Sequence, residues 1–237
     1  MMHSLVLIRN GESSWNKENR LTGWSDAELT PGGIREAHYA GQTLKENNFS
    51  FDVSFTSVLQ RAIQTLSIIL NEMELKNIPV YTDWRLNERH YGAVQGLLKE
   101  EAENIYGIET VEMWRKAYNV SPPLLPPDDP RCPVLDPKYS SIPPNLLPRG
   151  ESLAELKNRI IILWNEQISP MIREGKKVLI AAHGNSIRSI IHHLENKNED
   201  DFLKIKIPPP GVPTICYLDD KLKLIRRSYI ISNGDLE

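Results

Sequence analysis

The sequence predicts an α/β fold with a mostly parallel sheet covered on both faces, and three observations carry that reading. Short, continuous apolar runs recur along the chain. Segments with helical periodicity separate them. Two of the runs stop abruptly in polar residues, as strands do where a ligand binds at the carboxyl edge of a parallel sheet.

The elements follow in order. Leu5-Val6-Leu7-Ile8 reads as a buried strand ending at Arg9-Asn10-Gly11. Thr30 is placed to cap a helix that opens on Pro31, whose fixed φ suits the first helical position, and that runs to about Asn47. Its apolar stripe is Ile34, Ala37, Ala40, Gly41 and Leu44. A second strand is predicted over 51–56, followed by a helix over 58–73 with Leu59, Ala62, Ile63, Leu66 and Ile69 on one face. Pro79-Val80-Tyr81 is a third short strand. Two long helices are predicted over 100–118 and 151–173. The run Val178-Leu179-Ile180-Ala181-Ala182 is the most apolar strand; it ends in His183-Gly184-Asn185-Ser186, and a helix follows at once. Residues 215–226 read as a hairpin turning near Asp219-Asp220.

Segment 121–149 is different, because ten of the 17 prolines lie in it. It can be neither regular helix nor central strand. No second domain follows that would need a linker, so the expectation is one domain across 1–237 with an ordered Pro-rich active-site loop at about 121–149.

Composition limits the function classes. Of 237 residues, 40% are hydrophobic and 25% charged, a globular balance that excludes a fibrous or wholly disordered chain. No 18-residue apolar stretch exists, and the N-terminus lacks a basic region followed by an apolar run, so neither a membrane span nor a signal peptide is expected. Two cysteines, Cys132 and Cys216, cannot build a disulfide framework, which fits a cytoplasmic protein. A net charge of −3 argues against nucleic acid as partner and leaves room for a small basic pocket. No His, Cys or carboxylate spacing matches a metal site, so no metal is expected.

Five ordered blocks carry the chemistry. They are Leu7-Ile8-Arg9-Asn10-Gly11-Glu12-Ser13-Ser14-Trp15-Asn16, then Asn16 to Trp24, Thr56 to Ala62, Trp84-Arg85-Leu86-Asn87-Glu88-Arg89-His90-Tyr91-Gly92, and Ala181 to Ser186. Together they resemble the histidine phosphatase superfamily and, within it, the phosphoglycerate mutases that depend on 2,3-bisphosphoglycerate. The resemblance runs from about Leu5 to about Tyr229. It implies a phosphoglycerate mutase-like three-layer α/β/α sandwich and interconversion of 3-phosphoglycerate and 2-phosphoglycerate in glycolysis, with 2,3-bisphosphoglycerate as phosphate donor. It also implies a small, phosphorylated, anionic substrate and a homodimer or homotetramer.

The resemblance carries roles to individual positions. Arg9 and Arg61 match positions that hold the transferring phosphoryl group, where guanidinium groups suit bidentate contact with its oxygens. Arg89, Lys99, Arg115 and Lys116 match positions that hold the rest of the substrate. His183 matches the histidine that contacts the phosphoryl oxygens, and Glu88 the proposed general acid–base. Ser13, Asn16, Thr22, Gly23, Tyr91, Gly184 and Asn185 match polar and backbone contacts around the ligand.

The pattern breaks at Asn10, where the family has its phospho-accepting histidine. A carboxamide nitrogen has its lone pair delocalised into the carbonyl and is a poor nucleophile, although it keeps hydrogen-bonding capacity in a similar volume. The resemblance therefore implies a mutase impaired or inactive at position 10. The alternative is a pseudoenzyme that binds phosphoglycerates or another anion as a sensor or partner protein. Leu98 stands where the family usually has Asn, and Lys116 where it usually has Arg. Family members also continue with a basic tail beyond the point where this sequence stops, which implies a more open site here. Asn10 is either an introduced substitution or a natural loss, and the drift at Leu98 and Lys116 goes with the second account. The block from Arg85 to Gly92 resembles the mutase branch more than the broad phosphatase branch.

Overall fold

A computed structural model describes residues 2–230. Residues 231–237, where the sequence leaves the family's tail unmatched, lie outside the described residues. The six strands are β1 (His3–Arg9), β2 (Val53–Thr56), β3 (Val80–Thr82), β4 (Val178–Ala182), β5 (Thr214–Leu218) and β6 (Leu224–Tyr229). They form one sheet in the order β3-β2-β4-β1-β5-β6. The first four are mutually parallel, and β5 and β6 add an antiparallel hairpin at the β1 edge. The α/β fold with a mixed, mostly parallel sheet is thus as the sequence predicts.

The helices are α1 (Ser14–Lys17), α2 (Pro31–Glu46), α3 (Gln60–Glu72), α4 (Lys99–Tyr106), α5 (Ile108–Lys116), α6 (Leu153–Leu163), α7 (Ser169–Arg173) and α8 (Gly184–Glu195). Alternation along the central strands divides the core into two layers. Leu5, Leu7, Val178, Ile180 and Ala182 pack with Leu156, Ile160, Leu163, Ile187 and Ile191 from α6 and α8. Val6, Ile8, Leu179 and Ala181 pack on the other face with Ala40, Leu44, Leu66 and Ile69 from α2 and α3. Burial on both faces is why β4 reads as an unbroken apolar run.

Local chemistry explains the boundaries. The Thr30 side chain accepts a hydrogen bond from the Gly33 N–H, and Pro31 opens α2, as predicted. The helix predicted over 100–118 is two helices, because Gly107 takes φ of +88° between α4 and α5. The helix predicted over 151–173 is interrupted by a π-helical turn over Trp164–Ile168 before α7. Pro170 explains the break: it has no N–H to donate and its ring crowds the preceding turn.

Segment 121–149 is ordered, in single-turn pieces over Pro133–Leu135, Pro137–Tyr139 and Pro144–Leu146. It packs behind the irregular wall formed by residues 84–98. Tyr139 accepts a hydrogen bond from Asn87 Nδ2 at 3.1 Å and sets its ring 5.0 Å from Trp24. Arg131 donates to the carbonyls of Ala93 and Gln95 at 3.3 and 2.8 Å.

That wall is held from its other side by a buried guanidinium group. Arg159 donates to the carbonyls of Arg85, Asn87 and Glu88, and pairs with Glu151 at 2.6 Å. Glu151 in turn accepts the His90 N–H at 2.8 Å. The His90 ring accepts the Gly92 N–H, and burial pushes its pKa down to about 3, with Arg159 and Arg131 adding to the effect.

Two stability tests follow from this packing. A Cβ at Gly11 would collide with the Gly33 carbonyl at the start of α2. Gly11→Ala is therefore expected to destabilise the protein by about 1–3 kcal/mol, read from denaturant unfolding. His90 is neutral in the fold and has an ordinary pKa of about 6.5 when unfolded. Its contribution is complete above that pH and is lost as pH falls, amounting to about 2 kcal/mol by pH 5. Unfolding of His90→Asn between pH 6.5 and 5 should show a shallower loss of stability than the parent; equal slopes would contradict this assignment.

Candidate functional site

Parallel pairing brings the informative strand ends together. Arg9 on β1 is in register with Ala182 on β4, and Thr56 on β2 with Ala181. Asn10, Ser57 and His183 therefore leave three adjacent strands at the same edge. A cavity of about 380 Å³ opens there. It is lined by Arg9, Asn10, Asn16, Thr22, Gly23, Arg61, Glu88, Tyr91, Lys99, Arg115, Lys116, His183, Gly184 and Asn185, which are fourteen of the sixteen site residues expected from sequence.

The inner end is tightly built. The Asn10 N–H donates to the Ala182 carbonyl at 2.8 Å, and its side-chain Nδ2 donates to the Gly11 carbonyl at 2.8 Å. Arg61 projects from the first turn of α3 and donates to the carbonyls of Ser25 and Gly23 at 2.8 and 2.7 Å. Burial lowers its pKa to about 10, opposed by the charges of Glu88 and Asp26, so it stays cationic at neutral pH. Its remaining N–H groups are available to a ligand. Arg9 also lines the cavity, and among the described residues its guanidinium makes no hydrogen bond to protein.

His183 is fully buried, and its pKa lies well below the ordinary value, first through burial and then through the positive charges of Arg61, Arg159 and Arg9. It is therefore a neutral imidazole. Its Nε2 lies 2.8 Å from Ser57 Oγ, and that oxygen also accepts the Leu59 N–H at 3.2 Å. Its Nδ1 has no protein partner.

Glu88 is fixed by two backbone donors: Oε1 accepts the Arg89 N–H at 2.7 Å, and Oε2 accepts the Asn185 N–H at 3.3 Å. Asn185 bonds Tyr91 and accepts from Arg188 at 2.7 Å, so the three act as one polar cluster at the start of α8. Lys99, Arg115 and Lys116 form the outer end. Backbone pairing of Lys99 with Asn19, and of Leu21 with Leu97, sets the start of α4 against the 19–21 segment.

Three expectations need correction. Arg89 does not line the cavity: it is 1% exposed, and its fork is used on the carbonyls of Glu151, Trp114 and Val120 at 2.6, 2.6 and 2.9 Å. It ties the wall to the chain at the ends of α5 and α6, outside the cavity lining. Ser13 is buried under the site; it caps α1 and donates to Asn16 Oδ1 at 2.7 Å, so it positions Asn16 without lining the cavity. No residue of segment 121–149 lines the cavity either, because that loop lies behind the wall.

The cavity also contains residues that sequence reasoning missed. Asn19, Arg20 and Leu21 sit within a block already singled out. Arg188 follows Asn185 by three positions on α8, a helical spacing that puts both on one face and offered a signal. Leu203 and Ile207 come from the chain after α8 and carried none. Among the described residues no group of three or more His, Cys, Asp and Glu could hold a metal ion, and no helix is long and apolar enough to cross a membrane.

Comparison with known proteins agrees with this geometry. The family description "Histidine phosphatase superfamily (branch 1)" matches residues 5–125 and 135–229. Among solved structures, a mycobacterial glucosyl-3-phosphoglycerate phosphatase in complex with VO3 superposes with a TM-score of 0.73 at 20% identity, covering 98% of this chain and 100% of that one. A putative alpha-ribazole-5'-P phosphatase from Escherichia coli gives 0.70 at 19% identity, covering 92% of each chain. Phosphoglycerate mutase from Bacillus anthracis gives 0.66 at 21% identity, covering 92% and 89%. At these identities the structures establish the shared fold, while the family match spans both ends of the cavity. The chain belongs to branch 1 of the histidine phosphatase superfamily.

Proposed function

We propose that the cavity binds phosphoglycerates, and that the chain is a 2,3-bisphosphoglycerate-dependent phosphoglycerate mutase by descent, impaired in its covalent step by Asn10. The observation that carries this reading is the charge of the lining. Seven basic side chains (Arg9, Arg20, Arg61, Lys99, Arg115, Lys116 and Arg188) line the cavity against one lining carboxylate, Glu88, while Glu18, Glu103 and Glu112 pair with four of the seven from outside the lining. In a protein of net charge −3, so concentrated a positive region draws in a small polyanion. Cations at both ends suit a ligand with two anionic groups, and 2,3-bisphosphoglycerate fits that description. Bound there, that molecule is a source of a phosphoryl group.

This reading assigns roles to the lining residues. Arg9 and the free N–H groups of Arg61 hold phosphoryl oxygens. His183 contacts one of them as a neutral imidazole, without adding charge. Glu88, held by two backbone amides, is placed to move a hydroxyl proton. Lys99, Arg115 and Lys116 hold the far anionic group. Asn10 occupies the family's nucleophile position and supplies a hydrogen bond where an imidazole would supply a lone pair. We read the chain as working at neutral pH in the cytoplasm as a homodimer or homotetramer.

The same substitution favours a second reading, a binding protein that holds phosphoglycerates or a related anion as a sensor or partner. A coupled mutase assay with 2,3-bisphosphoglycerate, run on the parent and on Asn10→His, separates the two. A gain of at least about a hundredfold in Asn10→His supports the mutase reading. No turnover by either protein, with 3-phosphoglycerate still bound in calorimetry, supports the binding protein. Release of inorganic phosphate without mutase turnover would favour a phosphatase. Arg61→Ala should weaken 3-phosphoglycerate binding about ten- to hundredfold, and unchanged affinity would remove Arg61 from the ligand site.

A further inference from the structure

The cations at the outer end of the cavity are already paired with an anion that belongs to the protein and stands beside the lining. Glu112, on α5, has one oxygen 3.2 Å from Arg115 Nη1 and 3.6 Å from Lys99 Nζ; its other oxygen pairs with the Lys116 ammonium. The three cations are those that line the outer cavity. Helical spacing accounts for two of the contacts, because residues three and four positions on from Glu112 share its face. The third crosses from the start of α4, where backbone pairing fixes Lys99. These charges hold the Glu112 carboxyl below the usual range, with Lys116 contributing most.

We propose that Glu112 is a built-in competitor for the ligand's far anionic group, so that an incoming anion must displace its carboxylate from Lys99, Arg115 and Lys116. This rests on reading the cavity as an anion site. Glu112 is only partly exposed, while the Lys116 side chain is 68% exposed and can swing away from it. Exchange therefore needs side-chain rotation and no movement of α5. The exchange selects by charge. A monoanionic group offers the three cations no more than Glu112 already does, and gains little on replacing it. A phosphate group carries up to two negative charges and three acceptor oxygens, and outcompetes a carboxylate for the same donors. Glu112 thereby sets the entry requirement of the outer cavity: doubly charged ends are admitted and singly charged ones are disfavoured. Lys99 also pairs with Glu103 at 3.1 Å, but Glu103 has no contact with Arg115 or Lys116, so it supplies a control with the same change in net charge.

The test uses calorimetry at low ionic strength with inorganic pyrophosphate, an anion that requires no phosphoglycerate specificity, and separately with 3-phosphoglycerate. Glu112→Gln keeps shape and removes the charge. It should tighten pyrophosphate binding about fivefold, with Glu103→Gln giving less than about twofold. Binding that is unchanged or weaker in Glu112→Gln, or improved no more than in Glu103→Gln, overturns the proposal, as does failure of pyrophosphate to bind parent and variant alike. Weaker binding would mean instead that Glu112 organises the cations for the ligand. Pyrophosphate binding without 3-phosphoglycerate binding counts against the phosphoglycerate reading and leaves the Glu112 comparison intact.

Discussion

Two buried guanidinium groups carry the irregular wall on which the site depends. The chain from Arg85 to Tyr91 is neither helix nor strand for most of its length, so its backbone carbonyls need donors from elsewhere. Arg159 provides them to the carbonyls of Arg85, Asn87 and Glu88, and Arg89, itself in the wall, ties it outward to the carbonyls of Glu151, Trp114 and Val120. Arginine suits the task because its donors lie in a fixed planar fork and it keeps its charge when buried. Glu151 neutralises Arg159 and accepts the His90 amide, which closes the arrangement. Glu88 is held at the cavity by this framework, with its backbone carbonyl on Arg159 and its carboxylate on the amides of Arg89 and Asn185.

The electrostatics of the inner cavity follow from burial. Arg61 and Arg9 stand near His183 in a region poor in water, where a third positive charge would be costly. The imidazole responds by staying neutral, and its Nε2 is held 2.8 Å from Ser57 Oγ. At the outer end the cations are more exposed and are balanced by Glu112 and Glu103. The two ends thus differ in kind: fixed and desolvated at the strand edge, and exchangeable at the mouth.

The Pro-rich segment illustrates how order and position can separate. Its prolines exclude regular structure, and its tight single turns make it compact. Its buried anchors, Leu125, Cys132, Tyr139 and Leu147, hold it behind the wall, away from the ligand. Gly92 sits at that junction with φ of +58°, where a Cβ would collide with the Pro123 carbonyl. The segment acts on the cavity through the wall it supports.

Much of this was legible in the residues alone. Apolar runs and their abrupt polar ends marked β1 and β4, because a strand buried on both faces has no room for polar side chains. Thr30-Pro31 marked the start of α2 through local hydrogen bonding and a fixed φ. The ordered motif blocks marked the inner site, since its members sit within a few residues of strand ends. The breaks at Gly107 and Pro170 depend on local backbone chemistry that helical periodicity does not register. Other features were decided only by packing. Arg89 and Arg61 are both arginines in motif blocks, but which carbonyls surround each is a matter of tertiary neighbours, and that alone makes one a tie within the wall and leaves the other lining the cavity. Ile207 and Leu203 reach the cavity because the chain after α8 returns over it. Glu112 acquires its partners because Gly107 folds α5 back along α4, bringing Lys99 within reach of a carboxylate thirteen positions away.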